Sequence, residues 1–177
     1  QQTDKEFWKI YGLGEYGNIS GLIYENVKYI DSMPDCRLVA YGLDFGYSID
    51  PSACLAVYKK DDELYLKEIV YERQLTNQDL AERLRPIVGN DEVICDSAEP
   101  KSIEEIYRLG LNAKPAAKGR DSILNGIDIL KRYKINVVNR ISNYTINPSI
   151  VKKIWLFLNT MFLDNIYRIS TLSTFKT

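Results

Sequence analysis

Two aspartates stand where this sequence can put them to chemical use. Residues 38–48, LVAYGLDFGYS, form an apolar strand that delivers Asp44 into a glycine-flanked turn. Residues 92–94, EVI, run into CDSAEP and put Asp96 at the C-terminal tip of a second strand. The chain contains no histidine. Acids at two strand ends without an imidazole point to a divalent cation such as Mg²⁺ or Mn²⁺, which takes oxygen ligands and needs few protein carboxylates. A pair of such ions about 3.5–4 Å apart suits phosphodiester cleavage, activating water and stabilising the leaving oxygen of an in-line displacement. The same aspartates have structural uses, Asp44 opening a turn and Asp96 capping the helix near Lys101. Spacing alone leaves both uses open.

The missing histidine excludes Ser-His-Asp and Cys-His triads and histidine general bases. At 177 residues the chain suits one domain with room for an extra arm. Hydrophobic content of 45% and charged content of 27% describe an ordinary globular protein. A net charge of −1 does not advertise nucleic-acid binding, but a local basic face can be offset by acids elsewhere. Cys36, Cys54 and Cys95 lie in or beside apolar runs without a CxxC pair, which suggests buried thiols in a reducing compartment and no zinc site. No run approaches the roughly 20 apolar residues of a membrane span.

The elements that must carry the two acids are legible. Residues 1–35, with glycines at 12, 14, 17 and 21, read as short strands or turns packed against something else, an arm or linker ahead of a domain spanning 36–177. Strands are expected at 37–44, 53–59 and 63–71, the last two joined by a turn at Asp61-Asp62. A helix capped by Thr76 follows, with Leu80, Leu84, Ile87 and Val88 at helical spacing and Gly89-Asn90 as its stop. After the strand at 92–95, Pro100 opens a helix with Ile103, Ile106 and Tyr107 apolar and Gly110 as its stop. A short strand at 112–117, a helix at 121–133 and a strand at 135–138 complete the series. Three antiparallel strands followed by strand–helix alternation imply an α/β protein with a ribonuclease-H-like mixed sheet and helices on both faces. The tail from residue 140 gives no clear pattern beyond one amphipathic helix at 149–160.

GLDFGYSIDPSA, then ICDSAEPKSIEEI, then KGRDSILNGIDILK resemble, in order, the motifs of the nuclease domain of large terminase subunits from tailed phages. The N-terminal FWKIYGLGEYGNISGLIY is similar to the segment that joins that family's ATPase domain to its nuclease. No GxxxxGKS/T phosphate loop occurs, so the chain resembles a C-terminal half without the motor ATPase. The resemblance implies a divalent-metal endonuclease that cuts concatemeric double-stranded DNA with two Mg²⁺ or Mn²⁺ ions. It implies the ATPase domain, portal protein and small terminase subunit as partners, no membrane, and a phage- or prophage-encoded protein in the bacterial cytoplasm. Asp44 and Asp96 match the family's metal ligands on strands one and four. The family's third acid lies on a C-terminal helix in a DAxRY-like pattern. Its nearest counterpart here is Asp164 in LDNIYRI, though the hairpin and asparagine–histidine pair that usually precede it are missing.

Lesser candidates surround these. Lys118 and Arg120, in the basic loop KPAAKGR, and Lys101 beside the second acid are candidates for DNA phosphate contacts. Asp50 suits an outer ligand or an Asx turn, and Glu99 a water-orienting acid or a solvated helix start. Asp121 suits a helix N-cap, and Tyr47 could stack on a sugar or base. Two rival readings remain. LDFGYS also looks like the DxGxS/T phosphate turn of actin-like ATPases and sugar kinases, although no second phosphate loop accompanies it. The altered tail also suits an inactive fragment that docks to portal or capsid.

Overall fold

The structure, a computed structural model, describes residues 27–116 and 128–138. They build β1 (Val27–Ile30), β2 (Arg37–Asp44), β3 (Ser52–Lys60), β4 (Glu63–Glu72), α1 (Asn77–Val88), β5 (Glu92–Cys95), α2 (Pro100–Arg108), β6 (Asn112–Pro115) and β7 (Lys134–Val138). The strands form one sheet in the order β1-β7-β4-β3-β2-β5-β6. β2, β3 and β4 are antiparallel neighbours, and β5 and β6 run parallel to β2. This is the expected ribonuclease-H-like order. β7 and β1 extend the sheet beyond β4 in parallel pairing. Val27–Ile30, within the segment read from sequence as an arm, is thus the strand at one sheet edge.

Local chemistry explains the central elements. Asp61 takes a positive φ of 50° in the tight β3–β4 turn, a conformation aspartate tolerates better than most residues. α1 opens with a full capping box. The Thr76 hydroxyl accepts from the Asp79 amide at 3.2 Å, and the Asp79 carboxylate accepts from the Thr76 amide at 2.8 Å. Gly89 closes the helix with φ 58°, as the sequence predicts. Leu80, Ala81, Leu84 and Val88 form its buried arc, whereas Ile87, at the arc's margin and past Pro86, is exposed. On α2, Ile103 and Ile106 are buried and Tyr107 falls outside the arc. The helix expected over 121–133 is described only from residue 128. It ends at residue 130 and tightens into a turn through Arg132 N–H to Ile129 O (3.0 Å) and Tyr133 N–H to Leu130 O (3.1 Å).

The core lies on both faces of the sheet. On one side Tyr41, Leu43, Cys54, Val93 and Cys95 pack against Leu80 and Leu84 of α1 and Ile103 and Ile106 of α2. On the other, Leu130 is buried among Leu55, Val57, Leu64, Leu66, Ile135 and Val137. Among the described residues, no helix is long and apolar enough to cross a membrane.

Candidate functional site

β2 and β5 place the two acids. The paired stretches of both strands are buried, and their pairing runs Tyr41↔Val93, Gly42↔Ile94, Leu43↔Cys95. Asp44 and Asp96 are the next residues of the two strands, and the Asp96 N–H donates to Leu43 O at 3.1 Å, so the ladder continues to the second acid. Paired strands lie about 4.8 Å apart. The backbones carrying the two carboxylates are therefore one strand spacing from each other. Both residues are partly buried at the C-terminal edge of the sheet. Pleat alternation turns Asp44 away from the helix-packed side that holds Leu43. Its neighbours on its own side are small, Gly42 and Ala40 along β2 and Ala53 across the β3 ladder.

One Asp96 carboxylate oxygen accepts from the Ala98 N–H at 3.1 Å, and the Asp96 carbonyl accepts from the Glu99 N–H at 3.3 Å. Asp96 thus shapes the turn out of β5 and does not cap α2. The N-cap is Glu99, which makes no side-chain capping bond. The sequence reading of Asp96 as that cap is corrected: Asp96 lies too far upstream, and its carboxylate bonds the local turn.

The turn after Asp44 is held from both ends. Ser52, fully buried as the first residue of β3, donates its hydroxyl to Gly46 O at 2.7 Å and accepts from Gly46 N–H at 3.2 Å. A Cβ at Gly46 would lie 2.5 Å from the backbone oxygens of Asp50 and Pro51, so only glycine fits without moving the loop. The Gln74 N–H donates to Tyr47 O at 2.9 Å and ties the same loop to the end of β4. Sequence reasoning passed over Ser52. Its signal was a serine opening an otherwise apolar strand.

The donor set is oxygen. Burial, with a smaller contribution from Asp96, pushes the Cys95 thiol up to about 12, and burial raises Cys54 further still. Neither offers a thiolate near pH 7. Among the described residues, no group of three or more histidine, cysteine, aspartate or glutamate side chains is placed to hold a metal. Asp164, Lys118, Arg120 and Asp121 lie outside the described residues. Lys101 is exposed on the first turn of α2, in a groove it shares with Glu104, Glu105 and Arg108. Lys114, which opens the basic stretch KPAAKGR, lies in β6, within the strand expected at 112–117, and pairs with Glu92. Asp50 and Glu99 are exposed.

A family model described as "Terminase RNAseH like domain" matches residues 44–163. The chain belongs to this terminase family. The match opens on Asp44, includes Asp96 and stops one residue short of Asp164. Membership agrees with the motif resemblance and favours the nuclease over the actin-like reading of LDFGYS. The chain is 29% identical over 146 residues to the PBSX phage terminase large subunit of Bacillus subtilis (strain 168), covering 76% of this chain and 34% of that protein. This terminase-family chain thus spans about a third of the length of that relative. Among solved structures it resembles the large terminase nuclease domain of bacteriophage SPP1 with bound Mn, with a TM-score of 0.56 and 22% identity, covering 73% of this chain and 77% of that one. That likeness supports the ribonuclease-H-like fold.

Proposed function

We propose that this chain is a divalent-metal-dependent endonuclease domain that cleaves double-stranded concatemeric DNA during phage DNA packaging. The observation that carries the reading is the register of β2 and β5, which brings Asp44 and Asp96 to adjacent strand ends in a terminase-family fold. The donor chemistry fits hard cations, since it offers carboxylate oxygens and neither imidazole nor thiolate. The SPP1 nuclease domain, of similar fold, is described with bound Mn.

Asp44 and Asp96, at the ends of two paired strands, would hold the cations, with Asp164 as the proposed third carboxylate. Mg²⁺ or Mn²⁺ bound there, two ions in this reading, supplies water activation and neutralises charge at the leaving oxygen. Gly46 and Ser52 fix the turn leaving Asp44, so its carboxylate needs little reorganisation when DNA arrives. Lys101, Lys118 and Arg120 hold DNA phosphates and make binding sensitive to salt. The partners are duplex DNA, the terminase ATPase domain, the portal protein and the small terminase subunit, and the place of action is the host cytoplasm.

Plasmid nicking tests this. Asp44→Asn and Asp96→Asn each abolish Mn²⁺-dependent nicking of supercoiled plasmid by the 177-residue chain. Nicking that persists in both variants refutes the metal assignment. A chain inactive in every form points instead to a fragment that docks to portal or capsid.

A further inference from the structure

The end of the sheet opposite the acids, where β2 begins and β3 ends, gathers cations. Arg37 and Lys59 are direct partners in the β2–β3 ladder. The next pair of that ladder, Leu38 and Tyr58, packs on the helix side, so pleat alternation puts Arg37 and Lys59 on the other face. The Lys59 ammonium lies there, 5.1 Å from the centre of the Tyr133 ring, which packs against the cluster around Leu130. Lys131 and Arg132 are exposed in the turn just before Tyr133. That turn is held by Arg132 N–H to Ile129 O, Tyr133 N–H to Leu130 O and Lys134 N–H to Asp62 O. Like charges directly opposite on paired strands repel. Among the described residues Arg83, Arg108, Lys114 and Lys134 each have a carboxylate partner, whereas Arg37, Lys59, Lys131 and Arg132 enter no ion pair. The exposed acids at this end, Asp61, Asp62 and Asp128, bridge to none of the four.

We propose that Arg37, Lys59, Lys131 and Arg132 form a second phosphate-binding patch for duplex DNA, remote from the acids but on the same face of the sheet. The inference rests on the nuclease reading above and deepens it by naming where the substrate's backbone is held away from the cut. Ala53 lies across the ladder from Asp44, and Lys59 follows six residues later on the same face of β3. At the rise of a strand that separation is about 20 Å. It falls inside one turn of B-DNA, roughly 34–36 Å, so a duplex with one phosphate at the acids carries further phosphates at the distance of the patch. Partner residues on adjacent strands stand about 5 Å apart, close enough for Arg37 and Lys59 to meet neighbouring charges of one DNA strand. Phosphates placed there also relieve the repulsion between the two cations. An acidic protein segment offers the same sign of charge without that regular row.

Fluorescence anisotropy with a labelled duplex of about two helical turns, in Ca²⁺ to limit cutting and over a salt series, tests the patch. The 177-residue chain is used throughout. Arg37→Gln/Lys59→Gln and Lys131→Gln/Arg132→Gln each remove two charges and keep most of each stem. Each lowers the slope of log affinity against log salt by about two, which weakens binding about 60-fold near 0.1 M salt and converges with the parent near 1 M. Mn²⁺ uptake and the melting midpoint stay at the parent's values, and Arg37→Lys/Lys59→Arg keeps the slope. Lys67→Gln is the contrast: Lys67 is exposed opposite Ala56 on the helix-packed side, and its loss leaves the slope unchanged. An unchanged slope in Arg37→Gln/Lys59→Gln, or an equal loss in Lys67→Gln, overturns the patch. Poly-glutamate binding that the double variants lose while duplex binding stays intact reassigns the cations to an acidic protein surface and overturns it too. A parent that nicks plasmid while the double variants match its slope removes the patch alone. A parent whose slope depends on the four cations but which does not nick removes the nuclease reading and leaves the patch standing. A parent that binds no duplex removes both.

Discussion

Gly46→Ala is the sharpest perturbation of the turn that positions Asp44. The new Cβ would sit 2.5 Å from both the Asp50 and the Pro51 carbonyl oxygens and 2.6 Å from the Pro51 carbonyl carbon. Ordinary contact requires about 1 Å more. The obstructing atoms are backbone, so no rotamer change relieves the clash, and the loop must open. Opening it pulls Gly46 away from the Ser52 hydroxyl, which is buried and bonded at both 2.7 and 3.2 Å. Overpacking of this kind costs about 1–3 kcal/mol, and each lost hydrogen bond about 1 kcal/mol. The variant is expected to lose about 3–5 kcal/mol, a fall in melting midpoint of roughly 6–20 °C for a chain of this size. Gly89→Ala is the control. Gly89 has φ +58° with nothing within 4 Å of the added Cβ, so it carries only backbone strain, about 1 kcal/mol. Thermal melts of both variants, paired with Mn²⁺ titration, check the argument. If Gly46→Ala melts within about 1 °C of the parent, or above Gly89→Ala, the close approach is not what holds the turn.

The remaining predictions concern charge. Asp44→Asn and Asp96→Asn are expected to lower Mn²⁺-dependent nicking at least about 100-fold and to remove the rise in melting midpoint that Mn²⁺ gives the parent. Asp164→Asn is expected to reduce the number of Mn²⁺ ions bound per chain in calorimetry, and unchanged stoichiometry would remove Asp164 from the ligand set. The Thr76 hydroxyl, and after it the Thr76 amide, hold the Asp79 carboxyl below its ordinary 3.8. A lowered folded value means that its stabilisation is present above that pH and is lost as pH falls through the lower folded value. The gap in urea midpoint between the parent and Asp79→Asn should therefore be open at pH 7 and narrow as pH falls below 3.8, and a gap that widens on acidification would refute the capping assignment.

The central strands and their order were legible because local signals agreed with the fold. A nearly all-apolar run marked β2, Asp61-Asp62 marked the β3–β4 turn, and Thr76 with Asp79 marked the start of α1. The places of β1 and β7 were not legible. Their pairing joins residues 27–30 to residues 135–138, and parallel partners so far apart in sequence leave no local pattern. The exposure of Ile87 and Tyr107 was hidden for a different reason. Each lies at the margin of its helix's buried arc, where hydrophobic spacing cannot tell packed from exposed. The clamp at Ser52 also escaped, because a single serine at a strand start carries no chemistry until its partner across the loop is known.

The site divides its work between the two faces of the sheet. Leu43 and Cys95 point into the core beneath α1 and α2, and that packing fixes the register of β2 against β5. Asp44 and Asp96 follow one residue later, so the same packing that shields the helix side dictates the spacing of the acids. Two carboxylates so placed repel each other, and a slip of one strand past the other would relieve that repulsion. A one-residue slip of β2 would turn Leu43 out of the core, at a cost of about 1.5–3 kcal/mol. Packing on one face thus keeps the two acids on adjacent strand ends, which is the arrangement the proposed cation site uses. Two carboxylates balance the charge of one divalent ion. In the proposed two-ion site a second ion calls for a further anion, for which Asp164 and the DNA phosphate are the candidates, so Mn²⁺ stoichiometry with and without DNA tests the role proposed for Asp164.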